Sequence, residues 1–378
     1  MRTIMRFSSS FLLCLAVLPR GAAAAGEEPR FVARAEIKEA GELKLDWPWM
    51  PYISRDLFLL GVHRSGVVDV FRRDEKTGDL AFLSAVPVAT DLGSPGRHLD
   101  PHVALSSKDI LYVTGAWTHA KNDQHSLGLS WYQLERKDGS YRKLGTIPCS
   151  AGVLWPAAKP DVLYLSTYFA KEIQVIRLAA DGTPTVGERI TGKGVGTGLS
   201  APADRRHWYT MSAQSVAWLT SDAAGTLTYG GAVDIPDAVA DKISNLCVVA
   251  APDGRHVYAM VRHSYSKGYG AVFSRDAASG ALTFVETIDM SKLIGVNHVV
   301  FTADGTVGYF AGTPECAGAG LGWFRRDPQS GKLTFVAKAP GAPASWYLAY
   351  DGQLGRIYSG GFWSSKSIRV YDVPAEAP

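Results

Sequence analysis

Short apolar segments interrupted by polar turns recur along the whole chain, and this pattern predicts an all-β protein. The three clearest copies run through a Thr-Gly or Ser-Gly turn: VDVFRRDEKTGDLAF from Val68, AVFSRDAASGALTF from Ala271 and GWFRRDPQSGKLTF from Gly322. Weaker copies begin at Leu129, Ile173 and Ser215, and a seventh, SIRVYDV from Ser367, ends near the last residue. A period of about 50 residues is typical of radially repeated sheets. The pattern therefore predicts a seven-bladed β-propeller.

A second motif precedes each of these segments and supplies the other half of a four-stranded antiparallel blade. It places an aromatic residue in a short apolar run after a turn, as in APDGRHVYAMV from Ala251, where Asp253-Gly254 forms the turn of a hairpin. The seven aromatic residues that we assign to this second strand are Phe58, Tyr112, Tyr164, Tyr209, Tyr258, Tyr309 and Tyr358.

The two ends of the chain complement each other. The seventh copy lacks a fourth strand, whereas FVARAEI from Phe31 is similar to FVAKAPG from Phe335 in the sixth copy. We therefore predict that strand 31–37 completes the last blade, closes the ring and removes an exposed sheet edge. Residues 26–378 would then form a single domain.

The first 25 residues have the features of a secretory signal. Arg2 and Arg6 precede an apolar stretch, Phe11–Leu18, and small residues follow at Ala22–Ala25. No apolar stretch approaches the roughly 20 residues that span a bilayer. We expect a periplasmic or secreted protein without a membrane span.

Composition excludes several classes of function. The formal net charge is only +3 and no run of like charges occurs, so nucleic acid is not an expected partner. Cys149, Cys247 and Cys316 remain after the signal, an odd number that excludes a complete disulfide framework, and Cys247 in SNLCVVA is expected to be a buried thiol. The sequence contains no HxH or HExxH spacing and no phosphate-binding glycine fingerprint, so we expect neither a metal nor another cofactor.

Connections in a four-stranded blade alternate between the two faces of the disc, which allows the histidines to be assigned to faces. We call the upper face the one that carries the links between blades and the loops between second and third strands. Only His207 and His256 fall on the opposite, lower face. The histidines assigned to the upper face are His63, His98, His102, His119, His125, His263 and His298.

The candidate catalytic residues come from the upper face. The link DLGSPGRHLDPH supplies Arg97, Asp100 and His102, of which His102 would act as a base near neutral pH and Asp100 would orient an imidazole. Arg262 in RHSYSKGYG would stabilise an oxyanion, and His298 stands at a strand start. The predicted substrate-binding residues, which lie at strand starts or five residues beyond the second-strand aromatics, are His63, Trp117, His263, Asn245, Asn297 and Trp363. Together they predict an aromatic-walled pocket for a small molecule.

The repeated Arg-Asp pairs do not enter this site. Arg73-Asp74, Arg275-Asp276 and Arg326-Asp327 each precede a hairpin turn, and we interpret them as structural elements of the blade.

The repeated pattern xVFxRDxxTGxLxF with PDGRxxY resembles the seven-bladed propeller lactonase family, which includes 6-phosphogluconolactonase and carboxymuconate cyclase. SRDAASGALTF and APDGRHVYAM carry the resemblance best, and it extends over nearly all of the chain after the signal. It implies hydrolysis of a lactone ring, or its reverse closure, with a histidine or carboxylate as base and arginines stabilising the oxyanion. The signal sequence is a departure from the cytosolic sugar-phosphate enzyme.

Two alternatives come from other classes of function. The chain could be a non-catalytic propeller that binds a protein or glycan on its upper face. It could also resemble the heavy subunit of exported amine dehydrogenases, in which the propeller is a scaffold for a small partner that carries the cofactor.

Overall fold

The structure, a computed structural model, describes residues 30–36, 48–62, 66–88, 99–117, 128–150, 152–167, 171–212, 214–236, 245–264, 267–290, 295–312, 320–339, 345–361 and 367–373. These residues form seven antiparallel sheets of four strands each. The predicted signal at 1–25 lies outside the described residues, and the assignment of 26–378 to one domain stays a prediction.

The strands follow one another regularly, so that each run of four consecutive strands after the first forms one blade. The first strand in the chain is β1 (Arg30–Glu36). Blade 1 contains β2 (Pro48–Ser54), β3 (Leu57–Val62), β4 (Val67–Arg73) and β5 (Leu80–Pro87). Blade 2 contains β6 (Leu99–Leu105), β7 (Ile110–Trp117), β8 (Leu129–Leu134) and β9 (Tyr141–Ile147). Blade 3 contains β10 (Gly152–Pro156), β11 (Val162–Thr167), β12 (Ile173–Leu178) and β13 (Pro184–Ile190).

The remaining blades repeat this order. Blade 4 contains β14 (Thr197–Ser200), β15 (His207–Met211), β16 (Ser215–Ser221) and β17 (Leu227–Asp234). Blade 5 contains β18 (Asn245–Ala250), β19 (His256–Ser264), β20 (Lys267–Arg275) and β21 (Leu282–Thr287). Blade 6 contains β22 (Val296–Phe301), β23 (Val307–Gly312), β24 (Gly320–Arg326) and β25 (Leu333–Lys338). Blade 7 contains β26 (Ser345–Asp351), β27 (Arg356–Gly361) and β28 (Ser367–Asp372), together with β1.

The hydrophobic core is divided among the seams between blades. The described residues form seven apolar clusters, each joining two neighbouring blades. One of them packs Phe58 and Leu60 of blade 1 against Tyr358 and Val370 of blade 7, so the ring is continuous through the seam where the chain begins and ends. The predicted seven-bladed propeller is confirmed.

The tyrosines of the second strands link adjacent blades. Five of the six tyrosines donate the hydroxyl hydrogen to the carbonyl of a turn glycine in the next blade. The bonds are Tyr112 to Gly182 (2.7 Å), Tyr164 to Gly225 (3.1 Å), Tyr209 to Gly280 (3.1 Å), Tyr258 to Gly331 (2.9 Å) and Tyr358 to Gly78 (2.9 Å). At Gly78 φ is +70°, and a Cβ there would come within 2.7 Å of the Tyr358 hydroxyl, so both turn and contact require glycine.

Blade 1 departs from this arrangement, and the assignment of Phe58 to the tyrosine position is wrong by one residue. The backbone hydrogen bonds to the carbonyls of Asp56 in blade 1 and Asp109 in blade 2 are equivalent, so these two residues can be aligned. Tyr112 lies three residues after Asp109, and the residue three after Asp56 is Leu59. Leu59 faces blade 2, whereas Phe58 faces blade 7, with its ring 5.1 Å from that of Tyr358. The sequence rule looked for an aromatic residue in a short apolar run, so it selected Phe58 and passed over its neighbour Leu59.

Serine takes the place of the missing hydroxyl in this seam. Ser84 donates to the carbonyl of Gly139, the turn glycine of blade 2, at 2.5 Å. The register error also affects the rim, because His63 was counted from Phe58. Counted from Leu59, His63 is one residue short of the position that Trp117 and His263 occupy.

The Arg-Asp pairs are structural, as predicted, and the two members have separate roles. Asp74 accepts hydrogen bonds from the backbone N–H groups of Thr77 (2.7 Å) and Lys76 (2.8 Å) in its turn, and these bonds lower the pKa of its carboxyl. Arg73 instead donates to Asp351 of blade 7 at 2.5 Å, and both side chains are buried. The arginine therefore joins two blades and the aspartate stabilises a turn.

Both lower-face histidines belong to equivalent contacts between blades. The guanidinium of Arg326 donates to Asp253 and to Nδ1 of His256, each at 2.9 Å. That of Arg275 donates to Asp204 at 2.9 Å and to Nδ1 of His207 at 2.7 Å. Burial first, and then the neighbouring arginine, lower the pKa of both imidazoles. Their assignment to the lower face is confirmed.

The N-terminal strand lies in the seventh sheet. β1 pairs antiparallel with β28, from Arg30 opposite Asp372 to Glu36 opposite Ser367, with one irregularity between Phe31 and Ala33. That this pairing holds the ring closed stays a prediction. Within the part of the chain that the structure describes, no helix has the length and apolarity needed to cross a membrane.

Candidate functional site

The first strands of neighbouring blades contact one another all around the ring and so surround its axis. Equivalent residues of the first strands can be identified from their pairing with the second strand. We take as equivalent the first-strand residues that lie opposite the residue two places after the second-strand tyrosine. His102 of blade 2 lies opposite Thr114, two residues after Tyr112. His298 of blade 6 lies opposite Ala311, two residues after Tyr309. The two histidines thus occupy the same level in different blades, which we call the histidine level.

Tyr347 of blade 7 lies between these imidazoles. Its ring centroid is 5.5 Å from that of His298 and 6.5 Å from that of His102, and the contact with His102 is edge-on. Blades 2 and 6 are separated by blades 7 and 1, so one tyrosine brings together side chains that come from separate parts of the ring. The structure therefore brings His102 and His298 to one aromatic ring, and the catalytic roles assigned to them stay predictions.

Irregular strand pairing positions this group. The register of β26 shifts between Ser345 and Leu348, around Tyr347, and that of β22 shifts between Val296 and His298, around Asn297. A β-bulge inserts an unpaired residue and changes the direction of side chains, and bulges are frequent beside active sites. The local sequence gives no separate signal for these bulges.

Close approach between blades positions His102. A Cβ at Gly61 in β3 would lie 2.6 Å from the carbonyl oxygen of Pro101, the residue before His102. Thr114, opposite His102, is fully buried and donates its hydroxyl hydrogen to the carbonyl of Gly128 at 3.2 Å. His102 itself has no exposed surface.

Burial keeps both imidazoles neutral. Desolvation lowers the pKa of His102 to about 3 and that of His298, which retains partial exposure, to about 4. The structure therefore contradicts the expectation that His102 titrates near neutral pH. The N–H of Leu348 donates to Nδ1 of His298 at 3.4 Å, so the single proton of this neutral ring lies on Nε2, where it can be donated to a ligand oxygen.

Some of the remaining predicted residues can be located by strand pairing, and the others lie outside the described residues. Asp100 pairs with Ala116 and Leu99 with Trp117, at the upper ends of β6 and β7. Asn245 pairs directly with Arg262, and His263 follows in β19. Arg97, His63 and Trp363 lie outside the described residues. Asp100 and Asn245 each precede the histidine level by two residues, which places them nearer the upper rim.

Tyr347 was not among the predicted site residues, although it lies only two residues after the start of β26. The available signal was register: Tyr347 precedes Leu348, which pairs with Ser359, so it lies at the histidine level of blade 7. Cys247 occupies the same level in blade 5, opposite Met260. Burial raises the pKa of the Cys247 thiol to about 12, which confirms the prediction of a buried thiol.

Cys149 is also a free, buried thiol, and burial raises its pKa to about 12. No group of three or more His, Cys, Asp or Glu side chains able to hold a metal ion occurs in the described ranges.

Comparison with solved structures finds other propellers. A Bacteroides uniformis protein described as a candidate 6-phosphogluconolactonase is 20% identical, with a TM-score of 0.60 over 82% of this chain and 88% of that chain. The periplasmic gluconolactonase of Pseudomonas aeruginosa is 19% identical, with a TM-score of 0.64 over 79% of this chain and 86% of that chain.

What is shared is the fold. The β-propeller domain of Cps50 (Swd1) from Myceliophteria thermophila is also similar, with a TM-score of 0.56 and 12% identity over 89% of this chain and all of that domain. No protein-family model matches the sequence, and no curated protein matches it significantly. The propeller thus has structural relatives named as lactonases, and its function has to be argued from its own residues.

Proposed function

We propose that this propeller is an exported enzyme that opens a small lactone ring with water at the upper mouth of its axial channel. The observation that carries the proposal is the group His102, Tyr347 and His298, which brings two neutral imidazoles from different blades to one aromatic ring. The names of the two lactonase-like neighbours favour this reaction over others. The N-terminal sequence supports export to the periplasm or the medium.

Hydrolysis of a lactone adds water across the ring ester. The water oxygen bonds to the carbonyl carbon, the bond from that carbon to the ring oxygen breaks, and the proton lost by the water is balanced by one gained at the ring oxygen. Negative charge develops on the carbonyl oxygen before the ring opens. A hydrogen-bond donor aimed at that oxygen lowers the barrier.

Nε2–H of His298 is our candidate for that donor. A neutral imidazole can donate without first giving up a full charge, and the low pKa of His298 keeps it neutral throughout the physiological range. Arg262 and Arg97 are the predicted cations that would stabilise the same developing charge and would favour an anionic substrate.

His102 remains the predicted proton acceptor from the attacking water, a role that requires substrate binding to open this fully buried imidazole to the channel. Its low pKa makes it a weak base in the described environment, so a neighbouring negative charge must favour its protonated form. Asp100, two residues earlier in β6, is the predicted source of that charge. Asn297, Asn245, Trp117, His263, His63 and Trp363 remain the predicted substrate-binding residues.

A lactone panel assayed with the purified chain tests the function. Five- and six-membered lactones, with and without acidic substituents, are incubated with the protein in the presence and absence of a chelator, and acid release is measured. We expect hydrolysis of at least one anionic or polyhydroxylated lactone, unchanged by the chelator. Absence of hydrolysis across the panel, with folded protein, would refute the proposal.

Variants locate the reaction within the molecule. His298→Gln and His102→Gln should each lower kcat/KM at least about tenfold, equivalent to roughly 1.4 kcal/mol of transition-state stabilisation. His207→Gln is the matched control, because it replaces a histidine in the same ring on the opposite face. Full activity in both upper variants would show that the site is elsewhere. Retained binding without hydrolysis would favour the non-catalytic alternative.

A further inference from the structure

A concave site lies on the upper face, away from the group around Tyr347. It is a groove of about 510 Å³ between blades 3 and 4. Its wall consists of the link Gly192–Val195, the loop residues Ser212, Gln214 and Ser215, Lys171 before β12, and Asp234–Ile235 at the end of β17. A volume of this size is typical of small-molecule sites.

The groove is held in shape by the core beneath it. Val195 and Ile235 are buried in the apolar clusters on either side of blade 4, and Ser215 pairs with Asp234 across β16 and β17. The link turns sharply at Gly194, where φ is +78° and a Cβ would come within 3.0 Å of the Ala217 nitrogen. The wall is therefore preformed and does not need a ligand to organise it.

Two ammonium groups and one carboxylate line the groove. Nζ of Lys193 lies 2.7 Å from Oδ1 of Asp234, and both side chains are more than half exposed. An exposed ion pair contributes little stability, so stability does not explain this pair. Lys171 is exposed and has no hydrogen-bond or ion-pair partner within the described ranges. The groove thus has one cation in excess.

The backbone of Lys171 is strained. Its φ is +51°, a conformation that a residue with a side chain rarely adopts. The same conformation occurs at Arg55, Asp109 and Arg205 in hairpin turns, so at Lys171 it fixes the path of the loop that carries this side chain. Uncharged polar groups also line the groove: the Ser212 hydroxyl, which lies 3.2 Å from that of Ser215, and the amide of Gln214, whose side chain bonds to none of the described residues.

We propose that this groove binds a small polyhydroxylated carboxylate. Lys171 and Lys193 would bind the carboxylate of the ligand, because they provide the excess positive charge. The Asp234 carboxylate and the Gln214 amide would bind its hydroxyl groups, since one accepts hydrogen bonds and the other both donates and accepts them. Open-chain sugar acids have this combination of groups. The proposal does not depend on lactone hydrolysis.

Titration calorimetry with D-gluconate, D-glucose and inorganic phosphate as probes tests the site. We expect gluconate to bind and glucose, which lacks the carboxylate, to bind at least about tenfold more weakly. Lys171→Gln should weaken gluconate binding by about fivefold and Lys171→Glu by more, because an exposed charge pair makes a modest contribution. Lys332→Gln, an exposed lysine in a lower-face turn, is the matched control and should leave binding unchanged.

Three outcomes would overturn the inference. Gluconate that does not bind at about 10 mM would leave the groove without this ligand. Phosphate that binds as tightly, with the same dependence on Lys171, would show a site for simple anions. Binding that is lost in His298→Gln but retained in Lys171→Gln would place the ligand in the channel. Lactone hydrolysis should survive Lys171→Gln, so the two proposals fail separately.

Discussion

His102 and His298 show how strongly surroundings control a residue in this propeller. The same side chain on the lower face, in His207 and His256, accepts a hydrogen bond from an arginine and serves to join blades. At the histidine level it contacts an aromatic ring and has a pKa of about 3 or 4. Residue type therefore identified the candidates, and only packing separates the two roles.

The lowered pKa values predict acid sensitivity. Both imidazoles are neutral in the folded protein but titrate near 6.5 when unfolded, so the unfolded state binds more protons below that pH. Their contribution to stability is complete above about pH 6.5 and is lost as the pH falls through the folded values of about 4 and 3.

Thermal unfolding of the wild type and of the double variant His102→Gln/His298→Gln at pH 7.5 and pH 4.5 measures this contribution. Because glutamine does not titrate, Tm of the wild type should fall by about 2 °C or more beyond the fall of the variant. An equal fall in both proteins would contradict the assigned burial of the imidazoles.

At the scale of the element, the hydroxyl-to-glycine bonds explain why the two sequence motifs recur together. A tyrosine in the second strand of one blade meets the turn after the third strand of the next, so each motif maintains a contact with the other. The motifs could be found from the sequence because five of the seven blades repeat the contact. The error at Phe58 arose where the contact is absent, because Leu59 carries no hydroxyl.

Removing single hydroxyls should reveal how much these bonds contribute. In Tyr258→Phe the Gly331 carbonyl loses its donor, and Nε of Arg326, 2.7 Å from the same hydroxyl, loses its acceptor. Two buried groups without partners should cost about 2–4 kcal/mol of unfolding free energy. Tyr112→Phe removes only the hydrogen bond to the Gly182 carbonyl and should cost about half as much.

Denaturant unfolding followed by tryptophan fluorescence gives both values. Equal losses in the two variants would show that Arg326 finds another acceptor. Leu59→Met changes the seam between blades 1 and 2, where the second strand carries no tyrosine hydroxyl, and controls for altered packing.

For the whole molecule, the ring was predictable because repetition in sequence reflects repetition in space. The pairing of β1 with β28 could be anticipated from the incomplete seventh copy. The group around Tyr347 could not be found completely, because it depends on contacts across the axis between blades far apart in sequence and on bulges that no local pattern marks. Its members had to be recognised one blade at a time.

Deletion of residues 30–36 tests whether β1 holds the ring closed. The deletion exposes the hydrogen-bonding edge of β28, so we expect a lower Tm and self-association in size-exclusion chromatography. Deletion of residues 26–29 alone is the control and should leave both properties unchanged. A monomer of unchanged Tm after the longer deletion would show that apolar packing between blades 7 and 1 suffices.

The common level of His102 and His298 has a consequence for protein engineering. Register equates these positions with Val153, Thr197 and Cys247 in three other blades. Each of the three is a point at which an imidazole could be grafted at the same height but at a different angle about the axis. The propeller therefore offers several equivalent positions around its axis, and single substitutions at these positions could build binding sites of chosen geometry.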